Sequence, residues 1–233
     1  MESITAPPRD PFVTSKGMKF PKDGHFITGH LRAALRENRY EAKESQCVLK
    51  LVRDEDTVIE LGAGIGFMST LVATKRKIKA VHAFEANPAL IPYIRSVHEA
   101  NELKNAHVTN ALLGPRKGSA NFYVRQNLLS SSMEPLEGDT DENTQKVKVD
   151  VLNARQTLQT LDANILIADI EGAEATLLPQ LDLTGLRGAM IELHPQYIGP
   201  EGVNAVFKAM MDAGLAYYAR GSTHKVVCFR RAW

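Results

Sequence analysis

The chain has 233 residues, 44% apolar and 24% charged, the composition of a folded domain, either alone or with a short appendage. Lys+Arg 28 against Asp+Glu 27 leaves a net charge of +1, so no overall field argues for nucleic acid or an anionic membrane. The longest apolar runs are strand-sized and the only cysteines are Cys47 and Cys228, which excludes a spanning helix, a coiled coil and a disulfide scaffold.

Residues 1–24, with Pro7, Pro8, Pro11 and Pro21, predict a flexible proline-rich arm that lies along the body or moves freely. Met1–Asp10 has no apolar core of a secretory leader, so reduced thiols and a cytoplasmic protein are expected. A single domain is expected over 25–233. Its first part, 25–52, has helical apolar spacing (Ile27, Leu31, Ala34, Leu35, then Val48, Leu49, Leu51, Val52) and predicts two helices, broken near Glu37–Tyr40, as an N-terminal cap. Then come a buried strand at Asp56–Ala63, a helix at Phe67–Lys75 and a strand at Ala80–Glu85. A helix follows with Asn87 as N-cap and Pro88 at its first position, and then a strand at Ala106–Leu113. Strands near Ala120–Val124 and Lys146–Val151 flank a polar insertion loop, 126–145. The alternation resumes with a strand at Asn164–Ile170, a helix from Gly172, a strand at Arg187–Leu193 and a helix at Pro200–Ala213. Two closing strands follow, Ala216–Arg220 and Lys225–Arg230, joined like a hairpin. The predicted fold is α/β, a doubly wound, mostly parallel seven-stranded sheet with N-terminal helices and an antiparallel C-terminal strand.

The strongest local signal is V-I-E-L-G-A-G-I-G-F at Val58–Phe67. An apolar strand carries Glu60, and Gly62, Gly64 and Gly66 then open a helix, where glycines let a ligand approach the backbone and free N–H groups face it. The dinucleotide fingerprint G-x-G-x-x-G would need a third glycine at Phe67, and no G-K-[ST] of a P-loop is present. The form E-x-G-x-G-x-G resembles the first motif of class I methyltransferases that use S-adenosylmethionine. Glu85 follows about 20 residues on, at the end of the second strand, where an acid can accept hydrogen bonds from ribose hydroxyls.

The second diagnostic stretch is I-L-I-A-D-I-E-G-A-E at Ile165–Glu174. Asp169 and Glu171 crowd a strand end with no Lys or Arg beside them, an arrangement that opposes folding and points to a ligand. Glu174 has a structural role open to it in the first turn of the next helix. Asp169, Glu171 and His194, the last in I-E-L-H-P, are the candidate bases. His194 is preferred because an imidazole pKa near 6.5 suits proton removal, although neighbouring acids would raise it. Asp169, Glu171, Glu192 and His194 offer ligand atoms for Mg²⁺, but they have no tight spacing in sequence and no metal is expected.

Together, E-x-G-x-G-x-G, A-F-E-A-N-P at Ala83–Pro88, N-A-L-L-G at Asn110–Gly114 and D-I-E-G-A-E at Asp169–Glu174 resemble the FkbM family of methyltransferases. Ser130–Ser132 and R-Y-E-A-K-E at Arg39–Glu44 also match that family's pattern, and the resemblance spans about residues 25–195. It implies a Rossmann-like fold, S-adenosylmethionine as cofactor and O-methylation of a sugar, polyketide or other small-molecule hydroxyl. It also implies a cofactor wall of Glu60, Gly62, Ala63, Gly64, Gly66, Phe67, Glu85, Ala86, Asn110, Ala111 and Asp169. The acidic stretch Glu134–Glu142 departs from the family and bears on acceptor access.

Rival readings are a nucleic-acid or protein methyltransferase, a non-catalytic cofactor-binding partner protein and, least favoured, an NAD-dependent dehydrogenase. The [DNS]-P-P-[YFW] element of amino-methylating nucleic-acid enzymes is replaced here by Asp169–Gly172, and the basic run Lys75, Arg76, Lys77, Lys79 belongs to a solvated helix end. The expected partner is therefore a small-molecule acceptor, with neither nucleic acid nor membrane. A homo-oligomer is compatible with the sequence.

Overall fold

The computed structural model describes residues 10–125 and 142–232, together with 131, 133, 135 and 138–140. The chain opens with β1 (Phe12–Ser15) and β2 (Met18–Pro21), an antiparallel hairpin. Its two turn residues, Lys16 and Gly17, both have positive φ, the conformation that a tight hairpin turn requires. This part of the expected arm is packed against the body. Residues 12–21 alternate, so that Val13, Met18 and Phe20 face inward while the prolines sit outside or at the ends. Phe20 stacks on Phe67 with ring centroids 5.5 Å apart. Pro7 and Pro8 lie outside the described residues.

Helix α1 (Gly29–Arg36) starts at Thr28, whose hydroxyl accepts the N–H of Leu31, and α2 (Ala42–Leu51) follows. The sheet units then run β3 (Thr57–Leu61), α3 (Phe67–Lys75), β4 (Ala80–Glu85), α4 (Leu90–Ala100) and β5 (Ala106–Asn110). Asn87 heads a turn ahead of α4, its Oδ1 accepting the N–H of Ala89, so the helix begins at Leu90 and Asn87 is not its cap.

The strand predicted over Ala106–Leu113 divides at Ala111. Its second part, β6 (Leu112–Gly114), leaves the main sheet and joins β7 (Gly118–Arg125) and β8 (Thr144–Asn153) in a three-stranded side sheet of order β6-β8-β7. A helix absent from the sequence reading, α5 (Ala154–Thr160), is capped by Asn153, whose Oδ1 accepts the N–H of Gln156 at 2.8 Å. After β9 (Ile165–Ala168) come the single turn α6 (Glu174–Leu177) and β10 (Gly188–Glu192). Helix α7 (Pro195–Asp212) begins earlier than predicted because Pro195 suits a first helical turn, and it breaks at Gly199. The chain closes with β11 (Ala216–Tyr217) and β12 (Val226–Arg230).

The main sheet has the order β11-β12-β10-β9-β3-β4-β5. It is parallel except for β12, which runs antiparallel to both β10 and β11. This is the seven-stranded sheet that the alternation predicts. Two apolar layers cover its faces: one gathers the hairpin, α1, α2 and α3, and the other gathers α5 and α7. The chain winds outward from β3 through β4 to β5 and then returns to place β9 on the other side of β3. That reversal opens a crevice beyond the carboxyl ends of β3 and β9. Among the described residues no helix is long and apolar enough to cross a membrane.

The hairpin contributes core. Phe20→Ala removes a fully buried ring and should destabilise the protein by about 3–5 kcal/mol, read as a fall in melting temperature of roughly 10 °C.

Candidate active site

The crevice is a cavity of about 480 Å³ bounded by the ends of β3, β4 and β9, the start of α2 and the side sheet. Its floor is the glycine turn. Gly62 has φ +81, and a Cβ there would lie 1.8 Å from the backbone oxygen of Asp169, so no side chain fits. Gly66 has φ +75, and a Cβ would press on Ile94 of α4 at 2.9 Å. Gly62, Ala63 and Gly64 line the cavity together with Glu60, Glu85, Ala86, Ala111 and Asp169. Gly66 and Phe67 serve from behind. Phe67 is buried in the core between Phe20 and Tyr40 and starts α3, so it does not form cavity wall.

Glu85 closes the far side of the floor. Its Oε2 accepts the N–H of Gly64 at 2.9 Å and its Oε1 that of Asn87 at 2.7 Å. Burial raises its pKa against those amide bonds, and each oxygen keeps a lone pair for a ligand hydroxyl. Asn110 is placed differently from its expected contact. It is exposed and lies outside the wall, and its Nδ2 donates to the carbonyls of Glu85 and Ala86 at 2.8 and 3.0 Å, bracing the turn that carries Glu85.

Glu60 is 2% exposed and its Oε2 has no hydrogen-bond partner. Burial is the main cause that pushes its pKa up to about 8; Ser69 lowers it, and the charges of Glu85 and Asp169 add to the rise. Two further residues sit on this wall that the site assignment from sequence omitted. Tyr40 and Glu41 precede α2 and line the cavity, and burial raises the pKa of both. Glu41 has φ +43, a strained conformation for a residue with a side chain. The tyrosine–glutamate pair in Arg39–Glu44 was visible as a family-like segment, but nothing in sequence told which way it would fold.

The second wall joins D-I-E-G-A-E to the end of β10. His194 Nε2 lies 3.4 Å from Glu171 Oε2 and 3.6 Å from Asp169 Oδ1, so the three candidate bases come together. Glu174 is fully buried. Its Oε1 accepts the backbone N–H of His194 at 2.8 Å and faces His194 Nδ1 at 3.3 Å, while its Oε2 accepts the N–H of Gly172 at 2.8 Å. Glu174 is therefore the orienting group for His194, beyond the helix-turn role open to it in sequence. Burial opposes a charge on His194, but the hydrogen bond to Glu174 and the charges of Glu171 and Asp169 outweigh it, and the imidazole pKa is raised. Burial, with the charges of Glu192 and Glu171, pushes Asp169 up to about 7.

Arg125 donates from Nε and Nη2 to the two carboxylate oxygens of Asp139 at 2.7 and 2.6 Å. Ser131 and Met133 reach the cavity wall. Ser130, Ser132 and Glu134 lie outside the described residues.

The family model described as the methyltransferase FkbM domain matches residues 60–214. No curated protein matches the sequence. Among solved structures, the wild-type Trm5b of Pyrococcus abyssi is similar at 13% identity with a TM-score of 0.52, covering 94% of this chain and 55% of that one. The chain thus spans about half the length of that protein, and the likeness is one of fold. The precorrin-6y C5,15-methyltransferase of Geobacter metallireducens shows 12% identity and a TM-score of 0.49 over 95% of this chain and 94% of its own. For M. jannaschii TYW2 in complex with AdoMet the values are 14% and 0.49, over 94% of this chain and 85% of its own.

Glu60 supplies a test of the buried charge. Its folded-state pKa lies above the unfolded value, so its contribution to stability is present below about pH 4.5 and is lost as pH rises through about 8. Glu60→Gln does not titrate. The cofactor-free variant should therefore be more stable than the parent above neutrality, by roughly 3–5 kcal/mol, with the difference vanishing toward pH 4.5, as followed by thermal melts across that range.

Proposed function

The chain belongs to the FkbM methyltransferase family and uses S-adenosylmethionine, and from that premise we propose that it O-methylates a hydroxyl of a small molecule of the sugar or polyketide kind. The observation that carries this reading is that Asp169 and Glu171 line the same cavity that the glycine turn floors, with His194 buried behind them and within 3.6 Å of both. S-adenosylmethionine, when bound, supplies a methyl carbon activated by a positive sulfur.

The residues suit such a ligand. A cofactor with a sulfonium and an ammonium group is matched by the unpartnered oxygen of Glu60 and by the unpaired acids around it. The spare lone pairs of Glu85 suit ribose hydroxyls. Gly62, Ala63 and Gly64 allow the backbone to touch the ligand, and Ala86 and Ala111 leave flat room beside it. An acceptor hydroxyl held against Asp169 and Glu171 has proton acceptors within reach, and fixing it there supplies much of the rate.

The cavity volume lies in the range of small-molecule sites. Among the described residues its wall carries seven carboxylates and no Lys or Arg, which disfavours a phosphate-bearing polymer. The buried free cysteines Cys47 and Cys228 support a cytoplasmic setting.

The test supplies methyl-labelled S-adenosylmethionine with hydroxylated sugars and macrolides in one arm and RNA or protein in the other. Label is expected in an alkali-stable methyl ether of a small molecule; label in RNA or protein alone would overturn the reading. Asp169→Asn and Glu171→Gln should keep or slightly raise the melting temperature while turnover falls by roughly 10²–10⁴-fold. Melting several degrees lower in both would make these acids structural.

A further inference from the structure

We infer that Asp169, Glu171 and His194 form a site for one divalent cation of the Mn²⁺ and Mg²⁺ class, with Glu174 as its positioning residue. The inference rests on the reading of this cavity as a methyl-transfer site and deepens it by naming what holds the acceptor oxygen.

Convergence is the first observation. One ligand atom from each of the three side chains lies within 4.8 Å of the others. Ligands about 2.1–2.2 Å from an octahedral cation, at angles slightly wider than a right angle, lie roughly 3.0–3.5 Å apart. The His194 Nε2 separations of 3.4 and 3.6 Å fall at or near the upper end of that range. They are longer than a charge-assisted N–H···O bond, about 2.7–2.9 Å, and neither contact makes a hydrogen bond. The gap fits an ion better than a shared proton.

The second observation is independent of the spacing. The side chain of His194 is only 5% exposed. Its Nδ1 faces Glu174 Oε1, which makes Nδ1 the donor and turns the Nε2 lone pair toward Asp169 and Glu171. Asp169 Oδ1 is shielded from solvent and has no hydrogen-bond partner. The Asp169 side chain is otherwise 42% exposed, so this one oxygen is singled out, and a buried acceptor that no donor reaches is costly unless a positive centre satisfies it.

The support behind the ligands follows the rule for metal-binding histidines, in which the second ring nitrogen is held by a carboxylate. Glu174 does this for His194, and its other oxygen holds Gly172, so one buried carboxylate fixes the distance between both ligand-bearing segments. Glu171 adopts φ +49, the strained backbone that aims its carboxylate back at His194. Its side chain remains 43% exposed, which leaves the open side of the site to water and acceptor. Two carboxylates, one imidazole and open positions for water, without a thiolate, make a mainly oxygen donor set that accommodates Mn²⁺ or Mg²⁺.

The cation would bind the acceptor hydroxyl oxygen and lower its pKa. The proton leaves to a bound water as the oxygen attacks the methyl carbon. The O–C bond forms, the C–S bond breaks, and its electron pair neutralises the sulfonium to a thioether.

The experiment uses the full chain freed of metal with EDTA and titrated with Mn²⁺, reading the loss of the free-ion signal by electron paramagnetic resonance. One Mn²⁺ per chain is expected. Glu171→Gln, an exposed change that should fold normally, should weaken binding at least tenfold, and Glu174→Gln several-fold. Asp212→Asn, on the exposed end of α7, should leave binding unchanged. Absence of saturable binding up to millimolar Mn²⁺, or binding that survives both Glu171→Gln and His194→Gln, overturns the site. Full turnover in the EDTA-treated chain overturns the cation and leaves the methyl-transfer reading standing. One Mn²⁺ held through these residues in a chain that transfers no methyl group to any acceptor supports the site and counts against that reading instead.

Discussion

Gly62 stands where the end of β3 passes the end of β9, and the space there is closed to any side chain because a Cβ would fall on the carbonyl oxygen of Asp169. Around that point the three strand ends are tied by backbone bonds. The N–H of Gly62 donates to Phe84 of β4 at 2.9 Å, and that of Asp169 donates to Leu61 of β3 at 3.0 Å. The close approach brings the glycine turn and the acidic motif together, although about 100 residues separate them in the chain. Glu60, Glu85 and Asp169 face one cavity because these strand ends cannot be farther apart.

The two edges of the sheet treat charge in opposite ways. At the amino edge, Asp56 is buried and fully engaged: it accepts the N–H of Arg53, the amide of Asn164 and the guanidinium of Arg187. At the carboxyl edge, Glu60, Asp169, Glu171 and Glu192 face one another without a cationic side chain among the lining residues. Carboxylates arranged so raise one another's pKa and oppose folding, and two broad apolar layers over the sheet offset that cost. A fold that pairs its charges at one edge and leaves them unpaired at the other has placed its binding chemistry at the second.

Enclosure comes from elements outside the main sheet. The hairpin of β1 and β2 packs against Phe67 behind the glycine turn, so the first residues of the domain stiffen the start of α3. The side sheet of β6, β7 and β8 and the residues before α2 complete the wall with Phe122, Tyr40 and Glu41. Positive φ at Glu41 and at Glu171 marks two places where the backbone is strained at a carboxylate that lines the cavity.

By itself the sequence determined the alternation of strands and helices in the main sheet and the position of the glycine turn, and its motifs resembled those of a methyltransferase family. Strand and helix periodicities are local, and the turn at Gly62–Gly66 is dictated by residues adjacent in the chain, as is the acid that ends β4. The parts that escaped it depend on contacts remote in sequence. The inward face of the 12–21 hairpin is decided by packing on Phe67, the division at Ala111 by the pairing of β6 with β8, and the outward turn of Asn110 by the carbonyls it braces. Glu174 read locally is an ordinary first-turn acid, and only the return of β10 alongside β9 places His194 over it. Side-chain chemistry was therefore legible from the sequence, while the spacing between ligand atoms from different strands was set by tertiary structure, because distance between strand ends is fixed by sheet order and close packing and not by chain separation.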